Sequence, residues 1–262
     1  QSLGELGDPG AATSLVPLLA DGSARVRLKA ATALGSLRDR GTATAVLPLL
    51  RDSDRNVRRS AALALARIGN PSVAPRLMEI VGKTGPADPE GLRFYAAFAL
   101  GALGDRRAVP VLIGGLTDRD PEVRVAAATA LSQLRDPSAV PGLIAGLKDQ
   151  SDLMRWTCAQ ALGNIRDRRA VLALIRGLKD PNEDVREQSA KALGKIRDPA
   201  AVDALMASFA DSDEAIPKAA VLALGRIGDR RALPAVRKLL THKDASVREA
   251  AAEVVRALDG QR

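Results

Sequence analysis

A leucine followed by a small residue returns along the chain as Leu3-Gly4, Leu34-Gly35, Leu65-Ala66, Leu100-Gly101, Leu131-Ser132, Leu162-Gly163, Leu193-Gly194 and Leu224-Gly225, closing with Val255-Arg256. Successive copies stand 31 residues apart, save for one step of 35 between Leu65 and Leu100. A fixed period of this length means one supersecondary unit copied and stacked, because so short a unit cannot bury its apolar face alone.

The most regular copy, Asp167 to Arg197, shows what the unit is. Asp167 is placed to cap a helix whose Val171, Leu174, Ile175 and Leu178 follow at helical spacing. Lys179, Asp180, Pro181 and Asn182 supply turn chemistry, and Val185, Ser189, Ala192, Leu193 and Ile196 resume the period. Each copy is therefore read as a helical hairpin, helix A then helix B, each of about a dozen residues. Eight hairpins are expected, over 8–38, 39–69, 70–104, 105–135, 136–166, 167–197, 198–228 and 229–262, as one continuous array, with 1–7 as the end of a preceding helix. The chain opens on that half-unit without a methionine, so either an upstream extension or a trimmed chain is expected. The extra residues of the third copy fall in its A-to-B turn, Gly82 to Gly91, and Pro17 and Pro48 should kink the helices that hold them.

A second signature is an aspartate ending helix A, six residues before an arginine in helix B: Asp21 with Arg27, Asp52 with Arg58, Asp118 with Arg124, Asp149 with Arg155, Asp180 with Arg186. The carboxylate is expected to hold that arginine and the N–H groups opening helix B, and stacking would line the pairs into a ladder. The third copy reads as lacking its aspartate, and Pro217 displaces the seventh arginine, which leaves Asp211 without a partner. In the eighth copy His242 replaces the aspartate, and Arg237 enters the column of Val16, Leu47, Met78, Ile113, Ile144, Ile175 and Met206. A charge in an apolar column suits a terminal cap with a polar outer face.

With these residues in view, the chain resembles the HEAT repeats, specifically the short 31-residue class of phycobilin-lyase-like bacterial proteins, over essentially its whole length. The resemblance implies an all-α fold, a right-handed α-α superhelix (HEAT-like solenoid) whose B helices line a concave groove, and use as a scaffold. It also implies, through the phycobilin lyases, that a bilin could sit in the groove and that a second subunit could act with the chain.

Chemistry that a single site could carry is scarce. His242, the one histidine, falls in a terminal turn, and Cys158 shares a small-residue column with Ala30, Ala61, Ala96, Ala127, Ser189, Ala220 and Ala251, so it reads as a buried packing thiol. No His or Cys cluster has metal-ligand spacing and no glycine-rich loop opens a helix, so no catalytic residue, metal or cofactor is expected. The recurring carboxylates serve the fold that every copy shares. There is no apolar run of about 18 residues and no charged-then-apolar leader, so no membrane partner is expected. One cysteine builds no disulfide framework, and a monomer in the cytoplasm is the default expectation.

Function is therefore sought where the copies differ. Helix positions that point away from the core give Phe94, Tyr95 and Phe98 in the third copy, Val125, Thr129 and Gln133 in the fourth, and Trp156, Thr157, Gln160 and Asn164 in the fifth. Aromatic residues make up only 2% of the chain, and four of the five fall on this stripe. Charge rims it: Lys29, Arg59 and Arg67 before, Glu187, Lys191, Lys195, Lys218 and Arg226 after. An aromatic centre with a polar rim is the composition of a protein or peptide interface. The alternative is that Phe94, Tyr95 and Phe98 only cover the enlarged turn.

The net charge of +8 raises nucleic acid as a further partner. Arg38, Arg40, Arg106, Arg107, Arg135, Arg166, Arg168, Arg169, Arg197, Arg230 and Arg231 gather at the B-to-A turns, while the A-to-B turns are acidic. This basic edge could meet phosphates, or it could simply complement helix C-termini.

Overall fold

Each repeat after the first opens on a short polar side chain that closes a tight turn. Asp39, Asn70, Asp105, Asp136, Asp167, Asp198 and Asp229 each accept the backbone N–H two residues on. A 3-10 turn follows and then a short α-helix, as in Arg168–Ala170 and Val171–Gly177. Helix A is thus shorter than its apolar spacing suggests. At Pro17 and Pro48, which lack an N–H, the α-helix gives way to the 3-10 segments Val16–Ala20 and Leu47–Arg51.

The computed structural model describes residues 9–83 and 91–260. The expected helix end over Gln1 to Gly7, and the part of the enlarged turn between 84 and 90, lie outside the described residues. Among the described residues there is no strand. The second helices of the repeats are α1 (Ala24–Leu37), α2 (Arg55–Ile68), α3 (Leu92–Leu103), α4 (Pro121–Leu134), α5 (Asp152–Ile165), α6 (Glu183–Ile196), α7 (Ala215–Ile227) and α8 (Ala245–Asp259).

The chain divides into two compact units, Gln1–Leu134 and Arg135–Arg262. In the first, α1 packs on α2, α2 on α3 and α3 on α4; in the second, α5, α6, α7 and α8 follow the same order. The recurring leucines form the core of each: Leu34, Leu65, Leu100 and Leu131 in the first and Leu162, Leu193 and Leu224 in the second are wholly buried. The small-residue column is buried too, Cys158 included.

The glycine after the leucine sets how closely neighbouring helices approach. A Cβ on Gly35 would stand 2.8 Å from the Ala64 Cα, and one on Gly163 2.8 Å from the Ala192 Cα. These glycines serve close packing, as a phosphate loop would not require. The apolar column of Val16, Leu47, Met78, Ile113, Ile144, Ile175 and Met206 is only half-buried and is not part of the fully buried core. Arg237 at its end is exposed and pairs with Asp259 at 2.9 Å, so no charge is buried there.

Candidate functional site

The ladder consumes charge that a ligand could otherwise use. The sequence pairs each aspartate with the arginine of its own repeat; the structure pairs Asp52, Asp118, Asp180 and Asp211 with the arginine 25 residues earlier. Arg27 donates from Nε and Nη2 to Asp52 at 2.6 and 2.7 Å, and Arg93 reaches Asp118 at 3.0 and 3.1 Å. In the second unit Arg155 holds Asp180 at 2.8 and 2.9 Å, and Arg186 holds Asp211 at 2.8 and 3.1 Å. The third nitrogen, Nη1, turns back to the carbonyl six residues earlier, as from Arg27 to Asp21 and from Arg155 to Asp149. A fork whose inner arm is held by its own turn leaves its planar outer pair facing the next hairpin, which is why the rung crosses repeats.

The offset overturns the expectation for Asp211, which has its partner in Arg186. Pro217 instead removes the arginine that would have met position 242, and there the aspartate is replaced by His242. Its Nδ1 accepts the Asp244 N–H at 3.1 Å, the role that the Asp180 carboxylate plays for Asn182. In the third repeat the ladder position six residues before Arg93 holds Ala87, with Asp88 next to it; both lie outside the described residues.

On the opposite face of helix B the first unit holds a pocket of about 560 Å³ between α2 and α3. Phe94, Tyr95 and Phe98 form one wall, Ala62 and Leu63 the other, and Arg55, Asn56 and Arg59 the polar lip. Phe94 meets the Tyr95 ring edge-on at 5.1 Å and 78°. The two rings differ in duty. Tyr95 is buried and lies against Gly91, where a Cβ would come within 3.2 Å of its ring, so it covers the end of the turn. Phe94 and Phe98 stay half-exposed beside Leu63, which is 38% exposed. Sequence reasoning passed over Leu63, Arg55 and Asn56. Leu63 sits one repeat before Phe98 in the same outward column, and that alignment was the available signal.

In the fourth repeat Val125 and Thr129 are half-buried and Gln133 is exposed. The fifth repeat places Trp156 in a separate recess of about 400 Å³ in the second unit, with Asp152, Leu153, Asn182 and Asp184. Thr157 is turned inward, contrary to expectation, and its hydroxyl donates to the Leu153 carbonyl at 2.7 Å. Position two of helix B packs on the neighbouring helix, as the buried Tyr95, Ala126, Thr157 and Gln188 all show. Gln160 lines a third pocket, of about 650 Å³, over α6 and α7, and Asn164 accepts from Lys195 Nζ at 2.8 Å.

Much of the arginine edge is already engaged. Arg107, Arg169 and Arg231 each grip the aspartate that opens their own repeat, at 2.7, 2.6 and 2.7 Å, and hold the carboxyls of Asp105, Asp167 and Asp229 below the usual carboxylate range. Arg168 reaches Asp198 at 3.5 Å. Arg38, Arg135, Arg166 and Arg197 occupy left-handed backbone at helix ends, with φ of 55, 52, 62 and 61°, where Gly69, Gly104 and Gly228 stand in the other repeats. Arg40, Arg106 and Arg230 are exposed in the turns.

Burial pushes the Cys158 thiol up to about 12, with the Asp149 charge adding to it, so no thiolate forms near neutrality. Among the described residues no group of three or more His, Cys, Asp or Glu is placed to hold a metal ion, and no helix is long and apolar enough to cross a membrane.

Stacked helical hairpins, small residues at the seams and charged rungs joining the turns define an all-α solenoid of two-helix repeats. The chain belongs to the HEAT-repeat family, whose model matches residues 12–88, 84–156, 140–221 and 207–262. No curated protein sequence is a significant match. Among solved structures, the chain is similar to the complex of CpcE and CpcF of phycocyanin lyase from Nostoc sp. PCC7120, at 27% identity and a TM-score of 0.53, covering 84% of this chain and 94% of that one. It is similar in fold to the E. coli protein YibA, at 20% identity and a TM-score of 0.68, covering 98% and 94%. An engineered protein matches at 23% identity and a TM-score of 0.58, covering 98% of this chain and 83% of that one.

Proposed function

We propose that the chain is a non-catalytic scaffold that grips a segment of a partner protein on the outward face of its B helices, with Phe94, Phe98 and Leu63 as anchors. The observation that carries this reading is the pocket between α2 and α3, where three large apolar side chains remain accessible beside Arg55, Asn56 and Arg59. A partner's apolar side chain would cover the rings while its backbone met the polar lip, the arrangement of an interface centre. Trp156 and Gln160 offer further contacts in the second unit. The test is retention of a partner from the source lysate by the wild-type chain beside a Phe94→Ala, Phe98→Ala variant of equal helicity, then titration of the purified partner. A loss of tenfold or more, about 1.4 kcal/mol, is expected; equal affinity refutes the reading.

The likeness to the CpcE and CpcF complex favours a second reading, a bilin-handling subunit that works with another chain. It predicts an absorbance shift when a bilin is added to the chain, and an unchanged spectrum counts against it. Nucleic-acid binding at the arginine edge draws less support, since Arg107, Arg169 and Arg231 are already held by aspartates.

A further inference from the structure

We propose that the second unit carries a separate binding site, over α6 and α7, for an acidic peptide segment. The site does not rest on the aromatic pocket and stands or falls independently of it.

Two helices present matched rows there. Glu187, Lys191 and Lys195 lie at four-residue spacing on α6, and Lys218, Leu222 and Arg226 do the same on α7, around a pocket of about 650 Å³. Within the cluster, Lys191 is matched by Glu187 at 2.8 Å, and Glu214 at the lip is matched from outside by Lys243, also at 2.8 Å. Lys195, Lys218 and Arg226 are left without a carboxylate among the described residues. Lys195 donates to the neutral Asn164 amide.

These three cations are not part of the scaffold's own pairing. The ladder arginines of this unit, Arg155 and Arg186, point into the turns and hold Asp180 and Asp211. Nothing comparable holds Lys195, which is half-buried: desolvation lowers its pKa, and Arg226, Arg166, Arg135 and Lys191 lower it further. Like charges gathered in one partly desolvated pocket raise the free energy of the unliganded chain, and a bound anion relieves that repulsion.

The surroundings select the kind of anion. The floor is apolar, with Ala219 and Leu222, and no aromatic ring lines the pocket, so a base has nothing to stack on. Glu187 and Glu214, each already paired with a lysine, stand toward the N-terminal ends of the two helices, so the uncompensated positive charge lies toward the C-terminal ends, where Lys195 and Arg226 stand, and is too short a stretch for a continuous phosphate chain. A segment that lays carboxylates against Lys195 and Arg226, sets an aliphatic side chain on Leu222 and keeps acid away from Glu214 matches this gradient. Gln160 and Ser246 supply neutral polar groups for its backbone.

The experiment is calorimetric titration of the full chain with a capped six-residue peptide of glutamate, aspartate and leucine. Two further ligands serve as comparison: the same peptide with glutamine and asparagine for the acids, and a single-stranded oligonucleotide of equal charge. The acidic peptide should bind and weaken about tenfold or more in a Lys195→Gln, Lys218→Gln, Arg226→Gln variant. It should keep its affinity for a Phe94→Ala, Phe98→Ala variant, and the amide peptide should bind about tenfold more weakly. Lys218 is exposed and forms no ion pair among the described residues, so Lys218→Gln alone should still weaken binding about threefold if the triple variant loses helicity. Equal binding of acid and amide peptides, affinity indifferent to the three cations, or no heat with millimolar acidic peptide overturns the proposal. So does an oligonucleotide that binds more tightly than the peptide and is lost with the same cations.

Discussion

Replacing Gly101 by alanine should destabilise the first unit, whereas the same change at Gly114 should stabilise it. On helix propensity alone both changes should gain up to about 1 kcal/mol. At Gly114, in Val109–Gly115, the added methyl meets nothing within 4 Å, so the gain should survive as about 0.5–1 kcal/mol. At Gly101 it would stand 2.7 Å from the Ala130 Cα and 2.8 Å from the Ala130 Cβ on α4. Ordinary carbon contacts lie near 3.5–4.0 Å, so α3 and α4 would have to part by roughly 1 Å, and backbone cannot swing aside as a side chain can. Overpacking of this kind costs about 1–3 kcal/mol; the middle of that range, about 2 kcal/mol, less the propensity gain of up to about 1 leaves a net loss of about 1–2 kcal/mol. Urea titration followed by circular dichroism would read this as a midpoint lower by roughly half a molar at unchanged slope. A Gly101→Ala chain as stable as the wild type would refute close packing as the reason for the leucine–glycine repeat.

Arg197 occupies left-handed backbone at φ 61°, so Arg197→Gly should raise stability by about 0.5–1 kcal/mol, the strain released less the added freedom of the unfolded chain; a lower thermal midpoint would contradict this. The Arg27 hydrogen bonds hold the Asp52 carboxyl below its ordinary value, so in the folded chain it binds fewer protons than in the unfolded one. Its contribution is therefore present above about pH 4 and lost as pH falls through the lower folded value, and Asp52→Asn should flatten the acid limb of a stability–pH curve. Cys158, buried with its thiol pushed up to about 12, should ignore an aromatic disulfide reagent at pH 8 until denaturant is added, and prompt labelling of the native chain would show that the seam opens.

The fold was legible because every repeat states it again. Leucine, small residue and turn aspartate recur at one period, and a pattern repeated eight times outweighs any single ambiguous helix. What the period could not convey is direction across the stack. An aspartate and an arginine six residues apart look like partners, yet their side chains leave the turn toward different neighbours, and only the packed hairpins reveal the 25-residue rung. The site was legible in part for a related reason. Phe94, Phe98 and Trp156 were visible as rare residues on an outward face, but Tyr95 and Thr157 were placed there too, because one helical position of slack separates the exposed face from the seam. Leu63 was missed because an isolated leucine on a helix looks like core until its column is compared with that of Phe98.

The rung offset changes how departures from the repeat should be weighed. Taken one repeat at a time, Pro217 and His242 are two unrelated lapses, each leaving a partner stranded. Taken 25 residues apart they are the two ends of one missing rung, and removing both leaves neither a lone guanidinium nor a lone carboxylate in a partly buried turn, which is the costly outcome. His242 keeps the part of the aspartate's work that needs no charge, accepting the Asp244 N–H. The same accounting picks out the cations that do have a claim to bind something. Arg27, Arg93, Arg155 and Arg186 are balanced by rungs, and Arg107, Arg169 and Arg231 by the aspartates that open their repeats. Lys195, Lys218 and Arg226 fall outside both patterns, as Arg55 and Arg59 do at the aromatic pocket, and it is their gathering around one recess, more than the lack of a partner, that motivates the proposed acidic-peptide site.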